Sequence, residues 1–362
     1  MGEDVFRELQ KMLDSIPNGF PATESGVEMK ILKRIFTEDE AELFMKLRMR
    51  MEPVAKIAHR TGMDEALLGE KLRLMRQKGQ VFGVDADGQT YYRIMPYVFG
   101  IYEFQLHRMD RELAELFEEY AAAGFRQEYF SRGPAMMKVV PIGVELPRGG
   151  AVEPYESVAA LIEQAKSWAV NDCICKKEKA LTGHRCDRPM EVCMALAPVE
   201  NAFGEDGFSA RRISKEEAYR ILSLSEEAGL VHMVSNYRAG HFFICNCCEC
   251  CCGPLMALKL TSRDAVAKSN YYALVDAEKC TACGTCVERC QADAVTVNEC
   301  AEIGDCIGCG LCVSTCPSGA ISMKRREPSD SPPVPEGELE WLEQRARSRG
   351  MDDGFKRLFS SD

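Results

Sequence analysis

Apolar positions over residues 1–36 recur at helical spacing, interrupted at Pro17-Asn18-Gly19. Thr37-Glu38-Asp39-Glu40 is a capping box, in which hydroxyl and carboxylate each satisfy a free backbone N–H, and it predicts a helix to about Arg50. Pro53 opens a second helix that Gly62 ends, and Asp64 caps a third, Glu65 to Lys78, ended by Gly79. The pattern then alternates: Val81 to Met95 reads as a hairpin turning at Asp87-Gly88. Helical spacing returns over 96–130, with Phe104, Leu106, Leu113, Leu116 and Phe117 as core positions. Proline and glycine crowd 131–154, which reads as a linker. Beyond it, Tyr155 to Trp168 and a second capping box, Ser214-Lys-Glu-Glu217 closed at Gly229, predict helices, and Val231 to Val234 a strand. Short strands are expected at Tyr272–Val275, Ala294–Val297 and Ala320–Met323. After a proline-rich linker, Glu336 to Arg349 reads as a short charged helix that packs on the surface or on a partner.

These elements describe an α+β, multidomain chain. The expected units are a helical domain over 1–130, a linker over 131–154, an α/β cysteine-rich module over 155–270, a third domain over 271–326, and a linker with a short helix over 327–362. The passage from Glu52 to Val84, helix, turn, helix, hairpin, resembles the winged-helix superfamily. That resemblance implies DNA reading by the third helix, which carries Lys71, Arg73, Arg76 and Lys78, or docking onto another protein. Residues 1–100 hold 15 Lys plus Arg against 16 Asp plus Glu, so docking is the favoured reading and nucleic acid is not.

Charge and composition narrow the classes further. The 362 residues are 46% apolar with net charge −11, enough for real cores and against a general nucleic-acid or anionic-membrane binder. No apolar run approaches the roughly 18 residues of a membrane span, and the charged opening Met1 to Arg7 lacks a signal-peptide pattern. Nineteen clustered cysteines in a long chain point to metal ligation in a reducing cytoplasm rather than a secreted disulfide scaffold.

The strongest cluster is a repeat. Cys280-x2-Cys283-x2-Cys286-x3-Cys290 recurs 26 residues on as Cys306-x2-Cys309-x2-Cys312-x3-Cys316-Pro317. In this spacing three cysteines wrap one cubane and the fourth reaches the neighbouring one. Cys280, Cys283, Cys286 and Cys316 would hold one [4Fe–4S] cluster, and Cys306, Cys309, Cys312 and Cys290 the second. The stretch from Tyr272 to Lys324 resembles the bacterial two-[4Fe–4S] ferredoxin. It departs from that family at Gln291, where a proline is usual. Zinc also takes Cys-x2-Cys pairs, but two tandem four-cysteine runs with cross-over spacing fit it poorly.

The module over 155–270 adds ten more cysteines. Cys173, Cys175, Cys186 and Cys193 read as one compact four-thiol set. Cys245, Cys247, Cys248, Cys250, Cys251 and Cys252 crowd eight positions and either add to that set or form a separate site. No core requires thiols on every side of the backbone, so the module is read as metal-binding. A third [4Fe–4S] cluster is the first expectation, structural zinc the second, and a redox-active thiol pair or substrate-handling centre the remainder. Lys176, Lys177, Lys179 and Arg185 would lower nearby thiol pKa values. His184 and His241 read as neighbours rather than ligands. The whole resembles iron–sulfur proteins of anaerobes that join such a module to a ferredoxin domain.

Neither a Gly-x-Gly-x-x-Gly fingerprint nor a phosphate loop is present, so nicotinamide, flavin or ATP is not indicated. The leading expectation is electron transfer between redox protein partners, in a complex or homo-oligomer. A redox-sensing winged-helix regulator and an oxidoreductase with a catalytic centre at Cys245–Cys252 are the alternatives.

Overall fold

The computed structural model describes residues 4–86, 88–141, 154–203, 210–330, 333–351 and 353–360. Helix and strand are mixed throughout, and the architecture is α+β. In the N-terminal part the local signals place the elements. Thr37 and Glu40 close a capping box on helix Glu38–Met45, which stops short of the expected Arg50. Asp64 accepts from Leu67 N at the start of helix Glu65–Gln77, and Gly62 ends helix Val54–Thr61 in the left-handed region. Strands Phe82–Ala86 and Gln89–Arg93 form the hairpin, and Glu52–Pro53 adds a third strand. Asp87, half of the expected turn, lies outside the described residues.

Glu52, on that third strand, is buried and takes Arg60 at 2.6 Å and Arg50 at 2.9 Å. Burial opposes its charge, but hydrogen bonds from the two guanidiniums outweigh that and hold its carboxyl below the usual range.

Two expectations are corrected here. The stretch 131–154, read as a linker, contributes the buried strand Met137–Val139, which pairs antiparallel with Val231–Ser235. Its apolar residues sit among prolines and glycines, which hid them. The remaining residues of that stretch from 142 to 153 lie outside the described ones. The C-terminal helix Glu338–Ser348 is no surface appendage either. Trp341, Leu342 and Ala346 are buried in the core of the N-terminal helices. Arg345 is 1% exposed, covers the Tyr129 ring at 4.7 Å, and donates to the carbonyls of Tyr129 and Arg132. Charged neighbours masked this inward stripe in the sequence.

The cysteine-rich part is built on a six-stranded antiparallel sheet. Its spatial order is Met137–Val139, Val231–Ser235, Phe243–Cys247, Glu191–Ala197, Ser167–Asp172, Arg211–Ile213. The helix expected over Tyr155–Trp168 is shorter, Val158–Gln164; extended backbone at Ala165 ends it and Trp168 joins a strand. Helix Lys215–Glu227 starts at Ser214, whose hydroxyl accepts from Glu217 N.

The C-terminal part pairs Tyr271–Val275 with Ile321–Arg325 and Val295–Val297 with Ala301–Ile303. Two short helices, Thr285–Arg289 and Leu311–Ser314, follow Gly284 and Gly310, both at φ 82°. Among the described residues no helix is long and apolar enough to cross a membrane.

Candidate metal centres

The two cysteine runs fold as copies of each other. Ala282, Gly284 and Asp293 in the first, and Gly308, Gly310 and Gly319 in the second, take positive φ at matching places. A positive φ turns the chain tightly around the thiols. Cys280, Cys283, Cys286 and Cys316 line one small cavity, with Cys316 arriving from the other run. The thiols of Cys306, Cys312 and Cys290 surround Cys309 in the same crossed way. Backbone N–H groups point at the sulfurs: Ala301 to Cys280, Gly308 to Cys306, Ala294 to Cys290 and Ala320 to Cys316, each at 3.3 Å. The last two donors occupy equivalent positions in the repeats. Such hydrogen bonds stabilise thiolate and tune a bound cluster.

The two groups differ in environment. Cys283 is exposed, and the Thr285 hydroxyl, 3.4 Å away, holds its thiol below the ordinary range. Burial pushes Cys312 up to about 12 and Cys309 well above its usual value. The first group faces solvent and the second faces the rest of the molecule. Cys300 lies near the turn between Val295–Val297 and Ala301–Ile303, outside both groups.

In the cysteine-rich part the compact set expected from sequence is broken up. Cys186 leaves Cys173, Cys175 and Cys193 and joins Cys248, Cys250 and Cys251, all four sulfurs lying within 4.8 Å of one another. The separations are 3.7 Å for Cys250–Cys186 and Cys250–Cys251, and 3.9 Å for Cys186–Cys248. Hydrogen bonding from Cys251, and further off the Lys176 ammonium, bring the Cys248 thiol down to about 5. Burial pushes Cys250 up to about 11. Of the expected cations only Lys176 acts here; Lys179 pairs with Glu118 and Arg185 with Asp187.

Cys173, Cys175, Cys193, Cys245, Cys247 and Cys252 gather instead around a cavity of about 150 Å³, whose wall Cys251 of the four-thiol site also reaches. Cys245 has Cys193 and Cys247 as sulfur neighbours, Cys247 has Cys252, and Cys173 has Cys175. Contact with Cys175 is the main cause that brings the Cys173 thiol down to about 7, while Cys175, Cys245, Cys247 and Cys252 are pushed well up by their sulfur neighbours and by burial. The opposite wall is aromatic, and there the Tyr102 hydroxyl donates to Glu178. His184 is exposed and His241 stacks on Tyr237, away from both sulfur groups.

Gln291, the departure from the ferredoxin pattern, has a structural use that sequence alone did not reveal. It is 2% exposed, and its Oε1 accepts from Glu249 N and from Arg188, each at 3.1 Å. Arg188 also reaches Cys250 Sγ at 3.9 Å. A proline here would have no such acceptor. Arg289 donates to the carbonyls of Glu226 and Glu227 at the end of helix Lys215–Glu227, a second tie between the two sulfur-rich parts.

Residues 273–296 match the family model described as 4Fe-4S binding domain, and residues 305–347 the one described as 4Fe-4S dicluster domain. The C-terminal region therefore carries 4Fe–4S binding domains. No curated protein and no solved structure matches the chain.

Proposed function

We propose that the chain is an iron–sulfur electron-transfer protein that passes electrons between redox protein partners in an anaerobic cytoplasm, alone or as part of a complex. The observation that carries the reading is the pair of crossed four-thiol groups, one open to solvent at Cys283 and one packed against the rest of the molecule, within a region that matches 4Fe–4S domains. Bound [4Fe–4S] clusters supply one-electron exchange within the roughly −700 to +450 mV such centres span. The protein's part is to hold the thiolates, point N–H groups at their sulfurs, and set one cluster at the surface and the other inside. Cys280, Cys283, Cys286 and Cys316 serve the outer cluster, and Cys306, Cys309, Cys312 and Cys290 the inner.

The third metal centre is placed at Cys186, Cys248, Cys250 and Cys251. Four thiolates at ~2.3 Å from one tetrahedral ion stand about 3.8 Å from each other. The observed 3.7 to 3.9 Å separations support a single ion, zinc in the first instance. A cubane, which binds each thiolate to a different iron corner, needs wider spacing. This revises the expectation of a third [4Fe–4S] cluster at a set including Cys186.

The winged-helix reading of Glu52–Val84 goes with docking. Of the four basic residues on its third helix, Arg76 pairs with Asp85 and Lys78 with Glu40. The outward face carries the exposed Leu67 and Leu74 beside Glu70 and Arg73. An apolar, charge-balanced face suits a protein partner better than phosphates. The proposed units remain a helical domain, a cysteine-rich module and a dicluster domain, with the C-terminal helix belonging to the first.

Anaerobic purification with iron, sulfide and zinc analysis tests this reading. Two cubanes require at least about eight iron and eight sulfide per chain, together with one zinc. Colourless protein without acid-labile sulfide overturns it.

A further inference from the structure

Seven cysteines line the large cavity; Cys251 belongs to the single-ion site, and the other six belong neither to it nor to the crossed groups. They come from separate elements that the fold brings together. Cys193 lies on strand Glu191–Ala197, and Cys245 and Cys247 lie two apart on strand Phe243–Cys247. Cys173 and Cys252 are the N-cap residues of two eight-residue helices, Ile174–Leu181 and Gly253–Leu260. The amides of Lys176 and Leu255, in the first turns of those helices, face their sulfurs. Cys175 completes the ring from the first turn of the first helix. Two helix N-termini thus aim their positive ends at one pool of sulfur, an arrangement that favours thiolate.

One tetrahedral ion takes four ligands. It would leave two thiols unused and fill little of a cavity of about 150 Å³. A dithiol–disulfide pair would use only two, and all six cysteines are free. Six thiols converging on such a volume match a body with several metal corners. We infer that Cys173, Cys175, Cys193, Cys245, Cys247 and Cys252 hold a further polynuclear iron–sulfur cluster, separate from the two ferredoxin-type clusters and from the ion at Cys186.

Its position gives it a role. Cys247 and Cys252 pack in one apolar layer with Leu255, Ala292, Ala294, Ile307 and Leu311, and the partly buried Cys290 and Cys309 of the inner ferredoxin group pack against the same layer. The cavity is therefore next in line after the inner cluster. This deepens the electron-transfer reading: electrons from one redox partner enter at the solvent-facing cluster, and the cavity centre is where they leave for the other. On binding metal each thiol releases its proton to solvent.

The test uses the full chain, reconstituted anaerobically with ferrous iron and sulfide, with iron, sulfide and zinc counted and Mössbauer spectra recorded. One variant is Cys175→Ser/Cys245→Ser, another Cys280→Ser/Cys306→Ser, and Cys300→Ser is the control. The unaltered chain is expected to hold roughly twelve or more iron, above the eight or so of two cubanes. The first variant loses the excess, a third or more of the total, and keeps the dicluster spectrum, which also reports that it has folded. The second loses the dicluster iron and keeps the excess. Iron at about eight in the unaltered chain, zinc in the cavity in place of iron, or an unchanged iron count in Cys175→Ser/Cys245→Ser overturns the inference. An unchanged iron count in Cys280→Ser/Cys306→Ser would instead sink the ferredoxin reading, and the first variant would still read the cavity.

Discussion

Gln291 shows how one side chain ties two proposed metal sites together. Its carbonyl oxygen satisfies the half-buried Glu249 amide and Arg188, and Arg188 reaches Cys250. Gln291→Leu leaves those donors without their acceptor, at a cost of about 1–3 kcal/mol. The expected outcome is faster loss of the Cys186-site ion to a chelator, with dicluster iron unchanged. Gly308 is a sharper case. A Cβ there would stand 2.0 Å from the Tyr271 carbonyl oxygen and 2.2 Å from Ser269 Oγ. Gly308→Ala is therefore expected to deplete the inner cluster's iron, although its counterpart Ala282 carries a Cβ at φ 52° in the outer run. His232 gives the pH dependence. It is 1% exposed, its Nδ1 is 2.5 Å from Asn246 Oδ1, and burial brings its pKa down to about 4. The folded state thus binds the proton less well than the unfolded chain, where histidine titrates near ~6.5. Its contribution is fully present above that pH and is lost as the pH falls towards about 4, up to about 3 kcal/mol in all. Urea unfolding of His232→Gln should show a correspondingly flatter pH profile over that window.

At the level of elements, the caps were legible and the sheet was not. Thr37 with Glu40, Asp64, and Ser214 mark helix starts through chemistry confined to one turn, which a sequence displays directly. Strands Glu191–Ala197 and Phe243–Cys247 hide because most of their residues on both faces are wholly or partly buried and three of them are cysteines, so no alternation betrays them. The cysteine groups were misdrawn for the same reason: which thiols meet depends on that sheet, and spacing alone put Cys186 with Cys175. In the ferredoxin-type runs, ligand spacing and fold are one signal, and the crossed groups could be named from sequence. The C-terminal helix supplies a test. Trp341→Ala is expected to cost about 3–5 kcal/mol in denaturant unfolding of the N-terminal part, while iron content holds. Deleting 336–362 should have the larger effect.

Over the whole molecule, the sulfur sites form a series that runs inward from the surface. Exposed Cys283 marks one end and the cavity beneath the aromatic wall marks the other. Charge-laced contacts lock the series in place: Arg263 with Asp305 at 2.8 Å, Lys259 with Asp293 at 2.8 Å, and Arg325 with the buried Glu156 at 2.7 Å. Glu156 removal takes from Arg325 its carboxylate partner and loosens the dicluster against the sheet, so Glu156→Ala should slow reduction of the proposed cavity centre more than of the outer one in stopped-flow reduction. The unequal shielding of the two proposed cubanes also sets an order of decay. Air meets the Cys283 corner before anything else, so bleaching on exposure to oxygen should come in two waves. The colour lost first belongs to the outermost cubane, and what survives longest is the pigment the protein keeps furthest from the atmosphere.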